Sequence, residues 1–400
     1  MISVQEAVSR LSKYPIQIGC EKVALHESLG RRLREPIVAD RDFPPYHRVS
    51  MDGIAIRFPD FERGLREFPI AGIQPAGAPQ IENHEPGTAI EIMTGASIPD
   101  GLDTVIRYED LLVKDGTARV LIEDVKASQN VHAKGYDRKA GDVLVESNSL
   151  ITPAEIGVAA TVGMSQVLVA AMPQTIVVST GDELVPVEAE PLPHQIRSSN
   201  SIMIQSALQA IGVRADIGHL QDDRISMKKQ IKTWMDQYQV MIILGGSSKG
   251  KYDFVPDVLS ELQVQEHFYK VRQRPGKPFW FGSRETNFFA FALPGNPVSC
   301  FLCYKKYFTF WLNNSLGITK NATEATLASD FSFQPELTYF LQVQLEFSPG
   351  GIKAHPVVGH GSGDLANLTL ADGFMELPAT SSKFGVGETY PIIPYRYTFN

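Results

Sequence analysis

The chain has 400 residues, 43% of them hydrophobic and 20% charged, which suits roughly two to four globular domains around real cores. A formal net charge of −8 argues against general affinity for nucleic acid, so an anionic ligand would need a local basic patch; Lys249, Lys251, Lys270, Arg272, Arg274 and Lys277 are the candidates. No apolar run approaches the ~20 residues of a membrane span, and the first residues lack the basic-then-apolar pattern of a secretory signal, so no membrane partner and a cytoplasmic location are expected.

Ser3-Val4-Gln5-Glu6 has the pattern of a capping box, and Val4, Ala7, Val8 and Leu11 share one apolar face, which predicts an opening helix. A second short helix is predicted over 26–33, before the proline-rich exit Asp42-Phe43-Pro44-Pro45-Tyr46. From 46 to 137 the pattern changes to short apolar runs divided by glycine and proline, the pattern of a small β domain. Thr152-Pro153-Ala154-Glu155 is a second capping box, with proline at the first helical position, and predicts a helix to about Gly163. The β domain therefore reads as an insertion into a helical linker unit made of residues 1–45 and 138–172.

Residues 173–318 alternate strand and helix, which predicts a doubly wound, mostly parallel α/β domain that binds ligands at the carboxyl ends of its strands. A strand over 175–179 leads to a helix from Asn200 with Ile204, Leu208 and Ile211 as its core face and Gly212 as its stop. A strand over 214–218 leads to Asp222-Asp223, which can cap a helix with Ile225, Ile231, Trp234 and Met235 as its apolar positions. Strands over 267–271 and 288–293 precede one long helix from Pro297 to Leu316. That helix holds Cys300 and Cys303, whose CxxC spacing would suit redox or metal chemistry. Its apolar setting, with no second CxxC, favours two buried thiols, and with Cys20 the three cysteines make no disulfide framework. From 319 to 400 the pattern is β again: Leu341, Val343, Leu345 and Phe347 alternate with polar residues, and 388–397 supplies another strand of a small closed β domain.

The centre of the α/β unit is the buried strand Val240-Met241-Ile242-Ile243-Leu244, followed by Gly245-Gly246-Ser247-Ser248-Lys249-Gly250-Lys251-Tyr252-Asp253 and a helix with Val255, Val258, Leu259 and Leu262 on one face. The glycines permit left-handed turns and let backbone N–H groups converge on an anion at a helix start, and Asp253 could hold a hard cation against it. By itself this loop reads equally as a plain glycine turn. Three more loops change the balance: Thr180-Gly181-Asp182-Glu183-Leu184, Arg274-Pro275-Gly276-Lys277-Pro278 and Leu293-Pro294-Gly295-Asn296-Pro297-Val298-Ser299. Together they offer N–H groups, two cations and carboxylates to one pocket, which suits a nucleotide or phosphorylated ligand with a divalent ion.

These four loops, in this order, resemble the signature set of the molybdopterin molybdenumtransferases, the bacterial MoeA proteins and the gephyrin E domain. The resemblance extends to Ser50-Met51-Asp52-Gly53, Met93-Thr94-Gly95-Ala96, Gly135-Tyr136-Asp137, Gly359-His360-Gly361-Ser362-Gly363 and Ala371-Asp372-Gly373, so it covers nearly the whole chain. It implies a MogA-like α/β domain, a C-terminal β-barrel-like domain, and an enzyme that takes adenylylated molybdopterin and molybdate, inserts molybdenum and releases AMP with Mg²⁺ or another divalent cation. Carried over by motif, Asp52, Asp137, Glu183 and Lys277 would be catalytic. Thr180, Gly181, Asp182, Gly246, Ser248, Gly250, Arg274, Pro294, Gly295, Asn296, Ser299 and Ser362 would bind the ligands. Asp253, Glu183 and Asp223 would hold the metal, with Asp222 close by. The resemblance further implies a homodimer, in which the β domain of one subunit completes the cleft of the other, and a MogA-like molybdopterin adenylyltransferase as substrate donor. Four places depart from the family pattern: Arg274 stands where a lysine is usual, Ser198 where an aspartate precedes Ser-Asn, Arg48-Val49 where Asn-Ser precedes the Ser50-Met51-Asp52-Gly53 motif, and Leu341 where an arginine is common near the oxyanion site. A divergent paralogue that binds nucleotide or molybdopterin as a scaffold, and a general nucleotide-dependent transferase, are the alternative readings.

Overall fold

The computed structural model describes residues 1–82, 85–246, 254–319 and 321–397. Two compact units form, one from Met1–Glu21 with Ala170–Asn400 and one from Lys22–Val169.

In the first unit a six-stranded sheet runs in the order Ala215–Leu220, Thr175–Thr180, Val240–Leu244, Phe288–Leu293, Trp280–Arg284, Gln265–Tyr269. The first four strands are parallel; Trp280–Arg284 runs against them and pairs antiparallel with both of its neighbours, so the doubly wound sheet carries one reversed strand. The strand Trp280–Arg284 was not predicted: its sequence, Trp-Phe-Gly-Ser-Arg, is too short and mixed to show a period. The central strand Val240–Leu244 is buried throughout, as an all-apolar run covered on both faces must be. Its odd and even residues enter different cores: Val240, Ile242 and Leu244 on one face, Met241 and Ile243 on the other.

The helices follow their caps. Ser3 accepts from the Glu6 amide at 3.0 Å and starts Val4–Leu11, whose Val4, Ala7 and Leu11 are buried in the larger core of the α/β unit. The return bond of a capping box is replaced by an ion pair from Glu6 to Arg10 one turn on. Asp223 caps Arg224–Met235 by accepting from the Ser226 amide at 2.7 Å. In that helix Met227, Ile231 and Met235 are buried, whereas Ile225, expected inside, is 82% exposed. Two residues before Met227 is a rotation of about 200°, which puts Ile225 on the far side. The predicted long helix is three joined pieces, Pro297–Cys303, a π turn at Tyr304–Phe308, and Thr309–Ser315, with Cys300 and Cys303 fully buried. Burial pushes both thiols far up, so they are inert rather than redox-active or metal-ligating.

Beyond Thr323 five strands close into a barrel in the cyclic order Thr338–Ser348, Gly351–Pro356, Thr323–Leu327, Thr389–Pro394, Gly373–Leu377. Leu341, Val343 and Leu345 face its core as the alternation predicted; Phe347 is exposed at the strand end.

In the second unit another six-stranded sheet is ordered Thr104–Arg107, Gly53–Ile56, Ala89–Ile92, Glu67–Gln74, Thr117–Val120, Leu111–Lys114. Only Glu67–Gln74 and Ala89–Ile92 run parallel. The helix Pro153–Thr161 has both halves of its Thr152/Glu155 capping box and packs with Leu33, Ile37, Val145 and Val169. Instead of a helix over 26–33 there is a single 3₁₀ turn, Leu25–Glu27, because no side chain caps it and Gly30 takes a left-handed φ of +76°.

His267 records how tightly the first unit's edge is packed. The residue is 8% exposed; its ring stacks on Tyr14 with centroids 3.5 Å apart, lies beside Phe281, and has Nε2 2.8 Å from Ser283 Oγ. Burial, with the Arg10 guanidinium next in effect, lowers its pKa to about 4. The unfolded chain, titrating near 6.5, therefore takes up this proton first, and stability is lost as pH falls from about 6.5 to about 4. Thermal melts of wild type and His267→Gln should accordingly converge as pH is lowered through that window. Parallel curves would contradict this account of His267.

Candidate active site at the carboxyl edge of the parallel sheet

Three parallel strands end side by side, with Ser179 paired to Leu244 and Leu244 to Leu293. The three loops that follow are thus delivered to one edge, and the Gly245 amide ties two of them by donating to the Leu293 carbonyl at 3.1 Å. Gly245 and Gly246 have φ of +93° and +63°; a Cβ on Gly246 would stand 2.5 Å from Val255 Cγ2, so the turn admits no side chain. Ser248, Gly250, Asp253, Lys249 and Lys251 lie outside the described residues.

Two cavities open here and share Gly245, Gly246, Gly295 and Asn296. The one of about 600 Å³ is lined by Thr180, Gly181, Glu183, Arg197, Asn200 and Asp222 among others. Asp182 points elsewhere, accepting from the Asp222 amide at 3.2 Å. Glu183 and Asp222 are the carboxylates at the cavity; Asp223, the expected metal ligand, is occupied as a helix cap. The Asp222 pKa is raised by burial first, then by the charges of Asp182 and Glu183. Among the described residues no three His, Cys, Asp or Glu side chains converge as a complete metal site.

The second cavity, about 810 Å³, holds Arg274, Lys277, Pro294, Ser299 and Ser362. Ser362 comes from the C-terminal segment and is fixed by its neighbours: its Oγ accepts from Asn296 Nδ2 at 2.8 Å and its carbonyl from the Val298 amide at 3.1 Å. Residues 273–274 also pair with the barrel strand, Arg274 opposite Tyr339. Leu341 is 1% exposed within the barrel core, while Phe340 and Gln342 on the alternate face line the cavity. The sequence reading missed Gln342, Tyr339, His360, Asn200 and Arg197, all of which line the two cavities. Strand parity was the available signal for Gln342. Its Oε1 and Asn200 Oδ1 are buried acceptors with no donor among the described residues.

Asp52 and Asp137 belong to the second unit. Asp52 Oδ1 accepts from the Thr94 amide at 2.6 Å and from Thr94 Oγ1 at 2.8 Å, so two of the recognised motifs are joined directly. Those bonds hold its carboxyl below the usual carboxylate range. Gly53 follows because a Cβ there would run into the backbone of Ile106. Asp137 is exposed in its loop, with its amide donating to the Phe43 carbonyl at 2.9 Å.

Three family signatures match in order: the MoeA N-terminal region (domain I and II) over residues 2–163, a probable molybdopterin binding domain over 176–314, and the MoeA C-terminal region (domain IV) over 324–395. A molybdopterin molybdenumtransferase from Synechocystis sp. is 36% identical over 395 residues, covering 98% of this chain and 99% of the relative. The chain belongs to the molybdopterin molybdenumtransferase family. A second family relative, from Staphylococcus epidermidis, is 30% identical over 98% of this chain and 95% of its own. The crystal structure of a molybdopterin biosynthesis MoeA protein from Pyrococcus horikosii superposes with a TM-score of 0.84 at 28% identity, covering 98% of this chain and 99% of that one. No helix among the described residues of this family member is long and apolar enough to cross a membrane.

Gly246→Ala should cost ~1–3 kcal/mol, since the left-handed backbone and the Val255 contact both oppose a side chain. Urea unfolding measures it; unchanged stability would contradict the tight-turn account.

Proposed function

We propose that this protein inserts molybdenum into adenylylated molybdopterin and releases AMP, forming the molybdenum cofactor. The observation that carries the reading is the pair of adjoining cavities that share Gly245, Gly246, Gly295 and Asn296 in their linings. One is bordered by carboxylates and amides, the other by Arg274, Lys277, Ser299 and Ser362, so a nucleotide and an oxyanion can lie against each other across glycine backbone. The orphan acceptors Asn200 Oδ1 and Gln342 Oε1 suit ring N–H and amino donors of a nucleobase and a pterin, and bonding them removes a desolvation cost of ~1–3 kcal/mol each.

In this reading Lys277 and Arg274 neutralise the anion, Arg274 as a planar fork where a lysine would be a point charge, and Ser299 and Ser362 donate to its oxygens. Thr180, Gly181, Gly246 and Asn296 orient the phosphate, and the loop residues Ser248 and Gly250 add donors. Glu183, Asp222 and Asp253 would hold Mg²⁺; burial first, and then the charges of Asp182 and Glu183, raise the Asp222 pKa, and a bound cation would offset both. When bound, the cation polarises the phosphoanhydride for cleavage. The exposed carboxylates Asp52 and Asp137 support a homodimer in which each copy presents them to the cleft of the other. A MogA-like adenylyltransferase is the proposed substrate donor.

The test is AMP release from adenylyl-molybdopterin with and without molybdate. Wild type should release AMP in a molybdate- and divalent-dependent manner, and Asp253→Ala should lose at least roughly a hundredfold in rate while remaining folded. Tight binding of the adenylate with no molybdate-dependent release would refute the insertase reading and leave a carrier or scaffold.

A further inference from the structure

The loop that carries Arg274 and Lys277 is fastened from beneath by buried side chains that no motif accounts for. Gln273 is fully buried; its Nε2 donates to the carbonyls of Pro275 at 3.1 Å and Gly276 at 3.2 Å, and its Oε1 accepts from the Tyr307 hydroxyl. Cys303 Sγ donates to the same Gly276 carbonyl at 3.6 Å and lies 3.6 Å from Gln273 Nε2. Beyond the turn the Tyr307 ring stacks on Phe279, two residues after Lys277, with centroids 4.7 Å apart. The fit leaves no slack: Gly276 has φ +86°, and a Cβ on it would stand 2.7 Å from Gln273 Nε2 and 2.8 Å from Cys303 Sγ.

These supports share an element with the cavity. Ser299, Cys303 and Tyr307 follow at four-residue intervals along the helix and its π turn, so one face offers a serine to the cavity, a thiol to Gly276 and a phenol to Gln273. Burial keeps the thiol and the phenol protonated, and each therefore retains the hydrogen it donates.

We propose that Gln273, Cys303 and Tyr307 are positioning residues for the oxyanion half of the site: they lock the Arg274–Pro278 loop so that Lys277 and Arg274 meet the anion in register with Ser299. The proposal rests on the insertase reading above. The Gly276 carbonyl is engaged by Gln273 and Cys303, so the donors that hold the loop also occupy an oxygen of its turn that would otherwise oppose the anion.

Tyr307→Phe tests it in the full-length protein, because it removes the hydroxyl and keeps the ring on Phe279. The expected result is a rise of about fivefold in the molybdate KM for AMP release, with affinity for AMP itself changed less than about twofold. In a Lys277→Ala background the same substitution should shift the molybdate KM by less than about twofold, since the two act through one loop. An unchanged molybdate KM, equal losses for molybdate and AMP, or additivity with Lys277→Ala would overturn the proposal. If Tyr307→Phe does not fold, Cys303→Ala carries the same comparison. Wild-type protein with no molybdate-dependent AMP release would instead overturn the insertase reading, and this proposal with it.

Discussion

The candidate site depends on a backbone register. Ser179, Leu244 and Leu293 stand abreast at the ends of three parallel strands, so three loops far apart in the chain begin at the same level of the sheet. A slip of one residue in any of these strands, all buried on both faces, would send each side chain to the opposite core and carry its loop away from the others. The all-apolar strand Val240–Leu244 makes such a slip costly, because its alternate residues are committed to two separate cores. The packing that stabilises the domain thereby also sets the spacing of the ligand loops.

An acidic chain that handles anions has to gather its positive charge locally. The cation side is built where the α/β domain meets the barrel: residues 273–274 pair with Thr338 and Tyr339, and Ser362 returns from the C-terminal segment to Asn296. The carboxylates collect on the other side, around Asp222. Separation of the two charge sets across glycine backbone avoids direct pairing of Lys277 with Glu183, which would neutralise both before a ligand arrived.

Much of this was legible in the sequence because it rests on local rules. Ser3, Thr152 and Asp223 announce their helices through caps, and the alternation in 341–345 announces a half-buried strand. What was not legible depends on partners distant in the chain. Asp222 and Asp223 are adjacent and chemically identical; only the fold decides that one caps a helix and the other borders a cavity. Leu341 stood in line with a position tied to the oxyanion site, yet the barrel turns it inward and presents Gln342. Gln273 carries no motif, and its role under the loop comes from Tyr307 and Cys303, some thirty residues later in the chain. Ile225 was misplaced for a simpler reason: its helical position lies opposite the face formed by Met227, Ile231 and Met235.

The most direct measurement is a crystal of the protein soaked with molybdate and AMP, read for anomalous scattering at the molybdenum edge. The account predicts a molybdenum peak in the cavity bordered by Arg274, Lys277 and Ser299, with the AMP phosphate across Gly245 and Gly246 towards Glu183. A peak elsewhere, or none at saturating molybdate, would contradict it.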